Sequence, residues 1–115
     1  LLDIIAILTL PNIIRLKAVI DSEMVGFIAG DRRPPKGVAW IATLGVLPAH
    51  RHQGIGSALL SACEERIPDP RVRLTVRRNN ETAQSLYKRC GYNMVGTWQR
   101  YYQDGSDALV FEKRL

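Results

Sequence analysis

Arg51-His52-Gln53-Gly54-Ile55-Gly56-Ser57 carries the clearest chemical signal in the chain. It stands between an apolar run that ends at Pro48 and a segment with apolar residues at helical spacing. Where a strand turns into a helix, the first helical N–H groups lack an intrahelical acceptor, and the helix dipole adds partial positive charge to them. Such a junction binds phosphate. The two glycines keep side chains away from those amides, and at least one is expected at positive φ. No Gly-Lys-Ser/Thr follows and the third glycine of a dinucleotide fingerprint is missing, so a Walker loop and a dinucleotide loop are both excluded. Taken alone, the segment is equally a tight turn with no ligand.

The elements around this loop are read from periodicity. Leu1–Leu8 is expected to form the last turns of a helix, ended by Pro11. Ile13–Ile20 and Met24–Gly30 read as a hairpin turned at Asp21-Ser22, with Leu16, Ala18 and Ile20 set against Val25, Phe27 and Ala29. A polar loop with Pro34-Pro35 covers Asp31–Gly37. Val38–Leu47 is almost wholly apolar, as in a central strand covered on both faces. Gly54–Ile67 is an amphipathic helix stopped by Pro68. Val72, Leu74 and Val76 alternate with arginines and Thr75 in a strand parallel to the preceding one, because a helix intervenes. Asn79 or Asn80 caps a helix over Glu81–Cys90, which Gly91 ends. Tyr92–Tyr102 and Leu109–Lys113 complete a hairpin turned at Asp104-Gly105. The order β-β-β-α-β-α-β-β makes residues 1–115 one α/β domain with a mixed central sheet and helices on both faces.

Composition narrows the function. With 46% hydrophobic and 23% charged residues, the chain is neither disordered nor a coiled coil. Its net charge of +5 owes much to the arginines at 51, 71, 73, 77 and 78, which suits a phosphate-rich ligand. Nucleic acid would also need such charge, but no basic stripe interleaved with aromatics is evident, so it is not an expected partner. Cys63 and Cys90 lack metal or disulfide spacing and read as free thiols, and no metal site is expected. Leu1–Leu10 is too short to cross a bilayer and lacks a basic leader, so the expectation is a cytoplasmic protein without a membrane partner.

Beyond these elements, the chain resembles the GNAT superfamily of N-acetyltransferases. Arg51-His52-Gln53-Gly54-Ile55-Gly56 is similar to its acetyl-CoA signature, Arg/Gln-x-x-Gly-x-Gly/Ala, and Leu44-Gly45-Val46-Leu47-Pro48 to the strand before it. Asn80, Ala83, Leu86-Tyr87 and Gly91-Tyr92 fall in order on the family's second cofactor segment. The likeness implies acetyl transfer from acetyl-CoA to an amine by direct attack in a ternary complex. It implies that Leu44–Val46, Arg51–Ser57, Asn80 and Tyr87 hold the cofactor, that the Val46 N–H meets the thioester oxygen, and that Tyr87 protonates the departing thiolate. Tyr101-Tyr102 and the residues to Ala108 resemble the hairpin of the branch that acetylates protein N-termini, including the bacterial ribosomal-protein-alanine enzymes. There the two tyrosines help enclose the incoming peptide end. A small-amine acetyltransferase and a non-catalytic acyl-CoA-binding module are the alternatives.

Two departures from the family stand out. Thr75 occupies the place where the alanine-acetylating enzymes carry a Glu, and a threonine cannot take the amine's proton. The strand and two helices that family members usually have before Ile13 are also expected to be missing. The chain, which lacks an initiating Met, is therefore expected to be an N-terminally truncated piece of a longer protein, or to cover its exposed face with a partner such as a second copy.

Overall fold

The computed structural model describes residues 1–7, 10–33 and 35–115. Seven strands form one sheet in the order β1-β2-β3-β4-β5-β7-β6, from β1 (Leu2–Ala6), β2 (Ile13–Ile20), β3 (Glu23–Asp31), β4 (Val38–Val46), β5 (Arg71–Arg77), β6 (Asn93–Trp98) and β7 (Ala108–Arg114). Helices α1 (Ile55–Glu65) and α2 (Glu81–Arg89) and a 3₁₀ turn at Pro48–His50 complete the described elements. Neighbouring strands run antiparallel except β4 and β5.

The first departure from expectation is at the start of the chain. Leu2–Ala6 is a strand rather than the end of a helix, paired with β2 from Leu2↔Ile20 to Ala6↔Leu16, so a strand does precede Ile13. Leu2 and Ile4 turn to the core while Asp3 and Ile5 are exposed. An apolar run of this length does not separate helix from strand by itself; the open edge of β2, which offers backbone partners, decides it. Residue 8 of the expected helix and Pro34 of the expected loop lie outside the described residues.

The β2–β3 hairpin turns at Asp21 and Ser22, both at positive φ (50° and 66°), as a tight two-residue turn requires. A register shift between Ala18 and Val19 leaves Val25 as the extra residue on β3. Leu16 therefore faces Ile28, and Phe27 and Ala29 point to the opposite face from the one expected. Gly26 and Gly30 supply the close approach on the core side. A Cβ on either would come within 3.0 Å of Leu59 Cδ1 or Cys63 Sγ on α1.

Both helices lie on one face, not on two. The steps β4–α1–β5 and β5–α2–β6 move in the same direction along the sheet, so right-handed crossovers put both helices on the same side. There they touch: a Cβ on Gly56 would lie 3.3 Å from Leu86 Cδ2, and the Cys90 thiol lies 3.6 Å from Ser57 Oγ. One core results, with Leu16, Ile28, Leu59, Leu60, Val72, Leu74 and Phe111 essentially inaccessible to solvent. Each large apolar side chain buried there contributes about 1.5–3 kcal/mol. Tyr92 enters this core by donating its hydroxyl to Glu64 Oε2 at 2.7 Å, while Lys113 Nζ donates to Glu64 Oε1 at 2.9 Å.

The other face of β4, β5 and β7 has no described helix over it. Trp40, Arg73, Thr75, Arg77 and Val110 lie there, because Ala39, Leu74, Val76 and Phe111 take the core positions between them. β4 is thus covered on one face only, and Ala42, Thr43 and Gly45 are exposed. The final hairpin is shorter than expected: β6 stops at Trp98, which leaves Tyr101 and Tyr102 in the connection to β7.

Candidate functional site

The site begins where two parallel strands part. β4 and β5 pair only at Val38↔Arg71, Ala39↔Val72 and Trp40↔Arg73, yet they continue to Val46 and Arg77. Beyond Trp40 the β5-facing edge of β4 is open. The Leu47 N–H donates to Val25 O at 2.8 Å on the β3 side, so the alternating strand geometry turns the Val46 N–H the other way, into the split. From that side Arg51 Nε donates to Val46 O at 3.0 Å and draws the following loop back onto the strand end.

Residues 48–50 make one 3₁₀ turn, and the chain then reverses through His52 (φ 63°) and Gly54 (φ 81°) into α1. Gly54 is the N-cap, in the left-handed region where a side chain is strained. No side chain caps α1. Ala58 N–H is the first to bond within the helix, to Gly54 O at 3.0 Å, so the amides of Ile55, Gly56 and Ser57 have no intrahelical acceptor. Gly56 lies in the first turn of the helix, and its missing Cβ also makes room for Leu86 of α2.

These groups line a cavity of about 490 Å³ bounded by Leu44–Val46, His50–His52, Gly54–Ser57 and the facing side of α2. Of the residues singled out from sequence, Leu44, Gly45, Val46, Arg51, His52, Gly54, Ile55, Gly56, Ser57, Asn80 and Tyr87 all reach it. Gln53 does not line it and is exposed; Tyr101 and Tyr102 stand outside it as well. Ala83 and Leu86, which fall on the expected second cofactor segment, line it too, and so do His50, Thr82 and Arg89, which had not been singled out for it. For two of these a signal was present, since Thr82 and Arg89 share one helical face with Leu86. No carboxylate is among the described lining residues.

Asn80 caps α2 by accepting from Ala83 N at 3.1 Å through Oδ1. Seven residues on, Tyr87 is 9% exposed, its ring against Tyr92 and Phe111 at centroid distances of 6.1 and 6.4 Å. Its hydroxyl makes no hydrogen bond to a described residue. Burial above all, then the neighbouring Tyr102 and Cys90, push this phenol above its ordinary pKa, so it keeps its proton at neutral pH. Cys63, behind the cradle on α1, is fully buried, and desolvation, then Glu64, push its thiol up to about 11. That excludes it as a thiolate nucleophile at neutral pH.

The arginine run that favoured a phosphate-rich partner is largely spent on ion pairs. Arg73 and Arg71 reach Glu112 (2.8 and 3.7 Å), Arg77 reaches Asp104 (2.8 Å) and Arg78 reaches Asp107 (3.4 Å). Of the five arginines named above, Arg51 alone lines the cavity. Among the described residues no cluster has the make-up of a metal site, and no helix is long and apolar enough to cross a membrane.

An open-edged strand, a helix start with free amides and a buried phenol around one cavity can take a ligand that combines phosphate with a reactive carbonyl. Known proteins are similar to the chain in sequence and fold. The chain is 33% identical over 112 residues to an N-alpha-acetyltransferase of Sulfurisphaera tokodaii, covering 85% of this chain and 67% of that one. It is 34% identical over 93 residues to the N-alpha-acetyltransferase RimI of Mycobacterium tuberculosis, covering 78% of this chain and 59% of that one. The chain thus spans about two thirds or less of these relatives' length. Its fold matches a GNAT family acetyltransferase from Elizabethkingia anophelis, solved with acetyl-CoA bound, at a TM-score of 0.82 and 14% identity over 91% of this chain and 78% of that one. Residues 7–92 match the family described as Acetyltransferase (GNAT) family, and the chain belongs to it.

Proposed function

We propose that this domain is an N-acetyltransferase that moves an acetyl group from acetyl-CoA to an amine, with a protein N-terminal α-amine as the preferred acceptor. One observation carries the reading: Val46, the residues with free amides at the start of α1 and Tyr87 line one cavity at the split between β4 and β5. The cavity fits the donor, because Gly54 holds the backbone open at φ 81° where a pyrophosphate meets the amides of Ile55–Ser57. Arg51, His52 and Asn80 line the same wall, and Leu44 and Gly45 flank the thioester end.

When bound, acetyl-CoA supplies an activated acyl group, and the chain's own residues position and polarise it. The Val46 N–H faces the negative charge that grows on the thioester oxygen as the neutral amine attacks in a ternary complex. A fixed donor of this kind is worth about 2.7–4 kcal/mol of barrier. As the C–S bond breaks, Tyr87 gives its proton to the departing thiolate, while water takes the proton shed by the attacking nitrogen and returns one to the phenolate. Thr75 lies on the helix-free face between Arg73 and Arg77 and takes no proton. Tyr101 and Tyr102 wall the acceptor end.

The test follows free thiol release from acetyl-CoA with peptides bearing free Ala, Ser or Met ends, with spermidine, and with an N-blocked peptide. Release that needs a free peptide end is the expected result. Release with spermidine alone would replace the acceptor by a small amine. Tight coenzyme A binding without release would make the domain a binding module.

A further inference from the structure

The connection between Trp98 and Ala108 carries Tyr101 and Tyr102 but buries little of its own, and Tyr101 is 54% exposed. Its internal bonds are short in range: Tyr102 N–H to Ser106 O at 3.2 Å, Gly105 N–H to Tyr102 O at 2.9 Å, Arg100 N–H to Asp107 Oδ1 at 3.0 Å, and the Ser106 N–H (3.0 Å) and hydroxyl both to Asp104 Oδ1. The firmest tie to the sheet comes from a different strand. Arg77 Nη1, at the end of β5, donates to Asp104 Oδ2 at 2.8 Å and to Ser106 Oγ at 2.9 Å. Its guanidinium carbon also lies 4.1 Å from the centroid of the Tyr102 ring. Arg77 and Arg78 serve α2 through their backbone as well. Gln84 Nε2 donates to Arg77 O at 3.2 Å and to Arg78 O at 2.7 Å, one helical turn before Tyr87.

We propose that Arg77 is a positioning residue for the acceptor: by stacking on Tyr102 and holding Asp104 and Ser106, it sets the tyrosine connection against the mouth of the β4–β5 split. The proposal rests on the acceptor role of Tyr101 and Tyr102 given above. Arg77 itself does not line the cavity. Arg77 ends β5, on the stretch where β4 and β5 no longer pair, so the residues it holds stand at that end of the split. An exposed ion pair alone holds little. The strength here lies in geometry, since one guanidinium nitrogen bonds two side chains while the planar group stacks on a ring, and a lysine ammonium has no plane to stack.

The experiment compares the unaltered chain with Arg77→Ala, Arg77→Lys and the double variant Asp104→Asn/Ser106→Ala. It reads hydrogen exchange at the Tyr102, Gly105 and Ser106 amides, together with steady-state kinetics on a free-ended peptide. In Arg77→Ala, exchange at these amides should rise by about tenfold, and the acceptor KM by roughly tenfold. Coenzyme A affinity should hold, kcat should change less than the acceptor KM, and Arg77→Lys should recover only part of the loss. The double variant removes the partners from the exposed side and should reproduce the effect without disturbing β5. Unchanged exchange and acceptor KM in both Arg77→Ala and the double variant would overturn the proposal, as would an equal loss of donor and acceptor binding. If the unaltered chain transfers acetyl to nothing, the proposed function fails, while the exchange comparison still decides whether Arg77 holds the connection.

Discussion

The proposed donor cradle around Arg51–Ser57 and the tyrosine connection after β6 stand at the same end of the sheet, but they are held in different ways. The cradle is backbone: a left-handed Gly54, the unbonded amides of α1 and the open edge of β4, with a buried core beneath. The connection is held by side chains, chiefly Arg77 with Asp104, Ser106 and the Tyr102 ring. A common donor can be served by a rigid backbone frame. Side-chain clamps can be exchanged without disturbing the sheet, which suits the part of a site that meets a variable acceptor.

Three measurements break or sharpen that contrast. The largest effect should come from Tyr87→Phe, which removes the proposed proton donor and leaves the ring packed. kcat should fall by about a hundredfold with coenzyme A affinity nearly unchanged, and an unaltered kcat at saturating substrates would remove Tyr87 from the mechanism. Because burial raises this phenol's pKa, the donor form persists as pH rises. kcat should therefore show no loss from Tyr87 ionisation until the pH passes the ordinary phenol value of about 10.

Gly54→Val should act next, on the donor side alone. A branched residue at φ 81° costs about 1–2 kcal/mol, enough to weaken coenzyme A binding roughly tenfold in calorimetry and to lower the melting temperature. Undiminished binding would show that the cradle does not depend on the left-handed turn. Acceptor KM, measured at saturating donor, should barely move.

The smallest effect concerns pH. Hydrogen bonds from Ser106, and then from Arg77, hold the Asp104 carboxyl down at about 2, against an ordinary 3.8. A depressed carboxylate contributes its stabilisation above the unfolded value and loses it as pH falls through the folded one. Exchange at the tyrosine-connection amides, corrected for intrinsic rate, should thus stay flat from pH 7 to 4 and quicken only between about pH 3.8 and 2. Quickening near pH 5 would assign the clamp to another group.

How much could be read in advance follows the same division. Gly54 and Asn80 were legible because turn and cap chemistry act over three or four residues, and both occupy the places their residue types favour. The alternation of Val72, Leu74 and Val76 defined β5 for a similar reason. The run Leu2–Ala6 was misread as helix, since five apolar-rich residues gain their conformation from the neighbour they pair with. Ile28 rather than Phe27 faces Leu16, because a bulge at Val25 changes the phase and leaves no mark in the local pattern. Arg77 was visible only as one positive charge among several; its three partners lie 25 to 29 residues away.

Short-range stereochemistry was therefore enough for the sequence alone to determine the order of elements from Ile13 onward, the strand-to-helix turn at Gly54 and the cap of α2. The tertiary structure decided the parting of β4 from β5 after Trp40, the placing of both helices on one face, and the clamp on the tyrosine connection. An apolar strand looks alike whether it has one paired edge or two, and a side chain's partner is chosen by the sheet that brings distant residues together.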